Sequence, residues 1–214
     1  MTALTNGISY RDVTFGYAGE KPILHHFSFV AQRGKRYLIK GPSGCGKTTA
    51  VNLLLRYFDV DDGSIEIDGV PISKYGSTYD CMTVVRQEAV LFHDSLRNNL
   101  TMYSDISDDT LIEMLNDLGL NGFANKDALD QEITENGANL SGGEKKRICL
   151  ARALLRHTDV LILDEPLANL DEATAEKIED LLLSIKNKLL LVVSHQFTEE
   201  KTRLFDQVLV MNKS

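Results

Sequence analysis

The apolar run Tyr37-Leu38-Ile39 leads into Gly41-Pro42-Ser43-Gly44-Cys45-Gly46-Lys47-Thr48, and Thr49 to Arg56 follows with helical spacing. No other stretch restricts the fold as much. Strand, glycine-rich turn and helix in that order fit G-x-x-x-x-G-K-[ST]. The glycines let the backbone fold tightly enough to aim N–H groups at phosphate oxygens, and the helix adds its positive N-terminal end. Lys47 is spaced to reach β- and γ-phosphates, and Thr48 to ligate Mg²⁺ through its hydroxyl.

The 214 residues suit one domain with a sizeable core. A net charge of -8 argues against nucleic acid as a partner, which usually needs a basic face. No apolar run reaches the length of a membrane span; Leu189 to Val193 reads as a buried strand. Met1 to Tyr10 lacks a signal-peptide pattern. Cys45, Cys81 and Cys149 are widely spaced and odd in number, which points to free thiols in a reducing compartment. Cys45 reads as a small filler inside the loop.

Along the chain, Ile8 to Phe15 alternates as a strand does. Phe27 to Ala31, Arg36 to Lys40, Ser64 to Ile67 and Met82 to Val85 read as further strands. Ser95 to Lys126 turns helical, with a start near Asp108-Asp109 and an end near Gly119. Gly143 to Arg156 is predicted helix, Val160 to Leu163 buried strand, and Glu172 to Lys186 helix. Leu189 to Val193 and Val208 to Met211 are the last strands. Apolar β runs alternating with helices imply an α/β fold with a parallel sheet covered on both faces.

Val160-Leu161-Ile162-Leu163-Asp164-Glu165 is a buried strand ending in two carboxylates. In an α/β sheet that end borders the ligand crevice. Asp164 would complete the Mg²⁺ shell, and Glu165 would orient or deprotonate the water that attacks a γ-phosphorus.

Leu140-Ser141-Gly142-Gly143-Glu144 precedes the helix through Lys145, Arg147, Ala151, Arg152 and Ala153. Here the chain resembles the ATP-binding cassette family, whose signature is usually written LSGGQ. The physical logic is a second anion site, in which the Ser141 hydroxyl, the Gly142 and Gly143 amides and a helix N-terminus face a γ-phosphate. One chain cannot readily wrap this site and its own phosphate loop around one nucleotide. The resemblance implies two cassettes, as homo- or heterodimer, paired head to tail around ATP and Mg²⁺. It implies a P-loop NTPase with a mostly parallel core sheet, an N-terminal antiparallel β subdomain and a helical signature subdomain. The single domain, 1–214, would divide at about 87–157 for the helical part, with about 1–86 and 158–214 as core and β subdomain.

The resemblance extends from Ile8 to Met211 and assigns further roles. Gly41, Ser43, Gly44, Cys45, Gly46, Lys47, Thr48 and Thr49 would hold the phosphates. Tyr17 resembles the aromatic that stacks on adenine. Gln87 resembles the Q-loop glutamine, which touches Mg²⁺ or the water. Asp171 resembles the aspartate at the dimer seam, and His195, after Val192-Val193-Ser194, the histidine that contacts the γ-phosphate. Lys47, Gln87, Glu165 and His195 are the implied catalytic set. Glu144 departs from the usual signature glutamine, Ala168-Asn169 from a Ser-Ala pair, and Gln196 from an arginine frequent after the histidine.

Gln87 to Leu100 and Thr134 to Gly137 resemble the segments with which exporter cassettes meet a transmembrane domain, fused or separate. The implied function is ATP hydrolysis powering export at the cytoplasmic face of a membrane. A non-transport cassette in a soluble assembly is the alternative. Against it, Asp59 to Asn139 is too short for a chromosome-type coiled coil and shows no sustained heptads. A small-molecule kinase would leave Leu140 to Glu144 unexplained. The short end at Asn212-Lys213-Ser214 fits either a trimmed or a naturally short cassette. Asp59 to Gly63 lacks calcium-loop spacing, and His25, His26 and His157 lack metal-ligand partners at suitable spacing.

Overall fold

A computed structural model of the chain describes residues 4–18 and 21–213. Met1 to Ala3, part of the stretch read for a leader, and Ser214, the end of the short tail, lie outside them. Strands β1 (Gly7–Phe15), β2 (Leu24–Gln32) and β3 (Arg36–Lys40) precede helix α1 (Lys47–Leu54). Next come β4 (Asp62–Ile67), β5 (Val70–Pro71), β6 (Met82–Val85) and β7 (Asp94–Ser95). Helices α2 (Leu96–Thr101), α3 (Asp108–Asp117) and α4 (Lys126–Leu129) lead to β8 (Glu132–Ile133) and α5 (Gly142–Leu155). The chain closes with β9 (Val160–Asp164), α6 (Glu172–Ser184), β10 (Leu189–Val193), α7 (Glu199–Thr202) and β11 (Gln207–Val210). No helix among the described residues is long and apolar enough to cross a membrane.

The contacts divide the chain into two compact units. One takes the described residues up to Thr83, Thr158–Asp164, and those from Ile185 on; the other takes Val84–His157 and Glu165–Ser184.

The first unit contains an antiparallel sheet of order β2-β1-β4-β5. On β1 the buried positions run Ile8, Tyr10, then Val13 and Phe15, so the two-residue period slips once. The slip is a bulge: Arg11 and Asp12 are both exposed, Asp12 has φ 53°, and the pairing with β2 shifts between Tyr10 and Val13. The second sheet has the order β11-β3-β10-β9-β6. Its pairs β11–β3, β3–β10 and β10–β9 are parallel. Every residue of β9 and β10 is buried, as a sheet covered on both faces requires. Each such aliphatic side chain contributes about 1.5–3 kcal/mol by leaving water. The Tyr10 hydroxyl donates to the Ala50 carbonyl at 2.9 Å, and the Tyr37 hydroxyl accepts the Gln32 N–H at 2.8 Å. These bonds join the antiparallel sheet to α1 and to β3.

The second unit is mainly helical. Leu96, Leu100, Leu111, Leu115, Leu118, Leu129 and Ile148 form its core. Five of its helices start on side-chain caps: Ser95 for α2, Ser107 for α3, Asn125 for α4, Ser141 for α5 and Asp171 for α6. The helical stretch predicted over Ser95 to Lys126 is interrupted. Met102 and Tyr103 adopt left-handed conformations, φ 50° and 64°, and reverse the chain between α2 and α3. Helix α3 starts at Asp108 and ends before Gly119 (φ 67°), where acid pair and glycine predict.

Candidate active site

Strand register assembles the first half of the site. Ile39 of β3 lies beside Val193 of β10, which lies beside Asp164 of β9. All three are at the C-terminal ends of parallel strands. The glycine-rich loop therefore leaves this edge at Gly41, and His195 leaves it two residues beyond Val193. Ser194 is held there by its N–H, which donates to the Ile39 carbonyl at 3.2 Å. His195 is exposed, while Ser194 beneath it is buried.

The loop needs its glycines. Gly46 caps α1 with φ 97°, and a Cβ there would stand 2.7 Å from Leu24 Cδ2 and 3.2 Å from Ile23 Cγ2. Lys47 Nζ folds back over the loop and donates to the carbonyls of Gly41 at 2.7 Å and Pro42 at 2.9 Å. Cys45 Sγ lies 3.8 Å from the same ammonium and is buried, as a filler residue would be. Thr49 is buried in the first turn of α1. Ser43 and Gly44 are exposed.

Thr48 Oγ1 approaches Asp164 Oδ2 at 3.4 Å, and Asp164 is only 5% exposed. One hydroxyl and one carboxylate make an incomplete cage. No group of three or more His, Cys, Asp or Glu suited to a metal occurs among the described residues. That donor set suits Mg²⁺, which is commonly held by one or two carboxylates together with substrate phosphates.

Tyr17 follows β1 and is half-buried. Its ring meets Phe15 and Phe58 edge-on, each at 5.2 Å between centroids. The Ile23 N–H donates to the Phe15 carbonyl at 2.8 Å, and the Ile23 side chain faces Gly46. The aromatic group thus belongs to the wall on which the loop is packed. Phe58, at 43% exposure, was not singled out by motif.

The second unit carries the other sequence-predicted residues. Ser141 caps α5 in a reciprocal box: Glu144 N–H donates to Ser141 Oγ at 3.2 Å. The Glu144 carboxylate in turn accepts from Ser141 Oγ at 2.7 Å and from Ser141 N–H at 2.8 Å. The Ser141 hydroxyl, then its N–H, hold the Glu144 carboxyl below the usual carboxylate range. Gln87 and Gly142 line one cavity of about 340 Å³, together with Asn136, Lys145 and Asn169. Gly143 is half-buried against Leu170, whose Cδ2 would lie 3.5 Å from an added Cβ. Asp171 caps α6 by accepting the Thr174 N–H at 3.0 Å, and the bonds to Thr174 lower its pKa. Glu165 is half-buried and left-handed, φ 51°.

Motif reading missed two groups in this unit. Lys146 is 6% exposed and donates to the main-chain carbonyls of Glu165 and Ala168. Arg152 donates to the carbonyls of Asn99 at 2.6 Å and Val90 at 3.0 Å, and lies 5.2 Å over the Phe92 ring. Lys146 is buried on α5 with Ile148, Cys149 and Ala153, and Arg152 is half-buried beside them.

The sequence profile of the family described as ABC transporter matches residues 24–168. The chain is 39% identical over 217 residues to an ATP-dependent lipid A-core flippase of Vibrio vulnificus, covering 96% of this chain and 36% of that protein. Against the flippase of Vibrio parahaemolyticus the identity is 41% over 214 residues, with the same two coverages. The chain thus spans little more than a third of the curated relatives it matches. Among solved structures, a bacterial Atm1-family ABC exporter with ATP bound is similar at TM-score 0.88 and 29% identity. That match covers 100% of this chain and 39% of the other.

Proposed function

We propose, from the premise that this chain belongs to the ABC transporter family, that it binds and hydrolyses ATP and drives export through a membrane domain. The observation that carries this reading is the register Ile39–Val193–Asp164. It delivers the phosphate loop, a carboxylate for Mg²⁺ and His195 to one sheet edge.

In this reading the α1 N-terminus and the loop N–H groups receive the β- and γ-phosphates. Lys47 exchanges the carbonyls of Gly41 and Pro42 for phosphate oxygens, trading neutral acceptors for charged ones. Thr48 and Asp164 would hold the nucleotide's Mg²⁺, which would supply neutralisation of the phosphate charge. Glu165 accepts a proton from water as its oxygen bonds to the γ-phosphorus. The bond from that phosphorus to the β–γ bridging oxygen breaks, and ADP and phosphate leave. His195 steadies the γ-phosphate, and Gln87 orients the water or the ion. Tyr17 stacks on adenine.

A second cassette supplies Ser141, Gly142 and Gly143 to the γ-phosphate, with Asp171 at the seam. The relatives named as flippases and the exporter with ATP bound support a membrane domain as partner; in this reading it meets the segment Gln87 to Leu100 at the cytoplasmic face. The test is Glu165→Gln, which keeps shape and removes charge. It should bind Mg-ATP, hydrolyse it very slowly and accumulate as a dimer by light scattering. A single-chain mass under saturating Mg-ATP counts against the paired site.

A further inference from the structure

Lys146 is the one lysine buried to 6% exposure among the described residues, and it lies near the start of α5. That is a costly place for an ammonium. Burial removes its hydration, and the positive end of the helix opposes it. Its ammonium instead donates to the carbonyl of Glu165 and, at 3.3 Å, to the carbonyl of Ala168.

The turn that it grips is strained. Glu165 and Asn169 are both left-handed, φ 51° and 65°, a conformation that L side chains rarely adopt. The turn's own bonds are long: Ala168 N–H to Glu165 carbonyl and Leu170 N–H to Leu167 carbonyl are both 3.3 Å. The direction of the Glu165 side chain follows from its φ. Whatever fixes the Glu165 peptide also fixes the Cα–Cβ bond from which the carboxylate is aimed.

We propose that Lys146 is a positioning residue, clamping the Glu165–Ala168 turn so that the Glu165 carboxylate is held in working direction by the N-terminal turns of α5. This rests on the reading of Glu165 as the water-activating base. It also gives that reading a mechanical link, because Ser141 and Glu144, at the start of the same helix, form the proposed signature contact. A shift of α5 on pairing would reach Glu165 through Lys146.

The experiment compares Lys146→Met and Lys146→Arg with the parent chain, and runs Glu165→Gln beside them. Trinitrophenyl-ATP fluorescence reports nucleotide affinity, and steady-state phosphate release reports kcat and KM for Mg-ATP. Lys146→Met should lower kcat by about tenfold or more, with KM and probe affinity within about twofold of the parent, since a small misplacement of a reacting group can cost as much as 10²-fold. Lys146→Arg, which keeps charge and donors, should recover much of the loss. If Lys146→Met fails to fold, Lys146→Gln, which retains an N–H donor, should show the same kcat-selective loss in smaller measure. Parent-like kcat in Lys146→Met overturns the clamp, as does parallel loss of affinity and turnover that arginine does not restore. Glu165→Gln separates the two claims. If it is inactive while Lys146→Met is normal, the base stands and the clamp falls; if it hydrolyses at the parent rate, the base reading itself fails.

Discussion

Thr48 Oγ1 stands 3.4 Å from Asp164 Oδ2, joining the first turn of α1 to the last residue of β9 across 116 positions of sequence. That is longer than a good O–H···O bond, which runs to about 3.0 Å. In the proposed site the two oxygens would serve as neighbouring ligands of an octahedral cation, which at 2.0–2.1 Å from the ion lie about 3 Å apart. Asp164→Asn keeps the shape and removes the charge. It should leave ATP affinity without Mg²⁺ within about twofold, abolish most of the gain from adding Mg²⁺, and lower kcat by roughly 10²-fold or more. Calorimetry with and without Mg²⁺ checks the binding half. An undiminished Mg²⁺ effect would place the cation elsewhere.

Lys47 should matter to affinity more than any other loop side chain. Its ammonium already sits on the Gly41 and Pro42 carbonyls, so phosphate binding replaces those bonds without ordering a free side chain. Lys47→Ala should weaken Mg-ATP binding by about tenfold or more, the scale of a charge-assisted pair. Equal affinity by calorimetry would refute the phosphate role.

Two loop glycines predict different stability losses. Gly46→Ala must place a Cβ 2.7 Å from Leu24 Cδ2 at φ 97°, whereas Gly44→Ala, at φ 79°, meets nothing within 4 Å. Gly44→Ala should cost about 1 kcal/mol from backbone conformation alone. Gly46→Ala adds overpacking and should cost roughly 1–3 kcal/mol more. Urea unfolding of both variants measures the difference, and similar midpoints would mean that the Leu24 side chain gives way freely.

Much of this was legible because the informative signals are local. The buried runs of β9 and β10 and the Gly41 to Thr48 turn announce themselves within eight residues, and so does the capped start of α5 at Ser141. The β1 bulge did not, because one extra residue at Arg11-Asp12 leaves the composition of a strand intact. The strands β7 and β8 are two residues each, too short to carry a period. Lys146 was missed for a different reason. Its ammonium is received by the carbonyls of Glu165 and Ala168, which arrive from 19 and 22 residues downstream. A lysine beside Lys145 and Arg147 reads as solvated surface until that turn is in place.

The acid at Glu144 predicts a weaker pairing surface than a neutral residue would give. Its carboxylate occupies Ser141 N–H and Oγ, the donors that a γ-phosphate from a second cassette would use, and adds like charge there. The Ser141 bonds hold its pKa below the usual value. Its stabilisation of the α5 start is therefore complete above the unfolded value of about 4.3, and is lost only as pH falls through the lower folded value. The charge consequently persists through the neutral range. Glu144→Gln should strengthen ATP-dependent dimerisation by about 1 kcal/mol, roughly fivefold, with a gain that is flat between pH 6 and 8. Sedimentation of the Glu165→Gln chain with and without Glu144→Gln tests it. A gain that changes steeply with pH in that window would implicate another group.

The last prediction concerns how hydrolysis would reach a membrane domain. Asn99, fully buried, donates to the Phe92 carbonyl and accepts the Phe92 N–H, both at 2.9 Å. Arg152 of α5 then grips Asn99 and the Val90 carbonyl and lies over the Phe92 ring. Val90 and Phe92 themselves are exposed, 57% and 48%. Helix α5 is thus fastened to an exposed apolar edge chiefly by a planar cation, beside the Cys149 thiol that also donates to the Val90 carbonyl at 3.5 Å; lysine cannot imitate that cation because it lacks the fork and the flat face. In the assembled transporter, Arg152→Lys should reduce transport by about tenfold while basal hydrolysis stays within about threefold, a coupling loss near the 1–2 kcal/mol that such networks carry. Glu135→Ala, on the neighbouring segment, should show the same bias more weakly, and a cysteine at position 92 should cross-link to an intracellular loop of the membrane domain. Equal losses of transport and hydrolysis in Arg152→Lys, with no cross-link from position 92, would mean that this edge serves the fold of the helical unit and not the coupling.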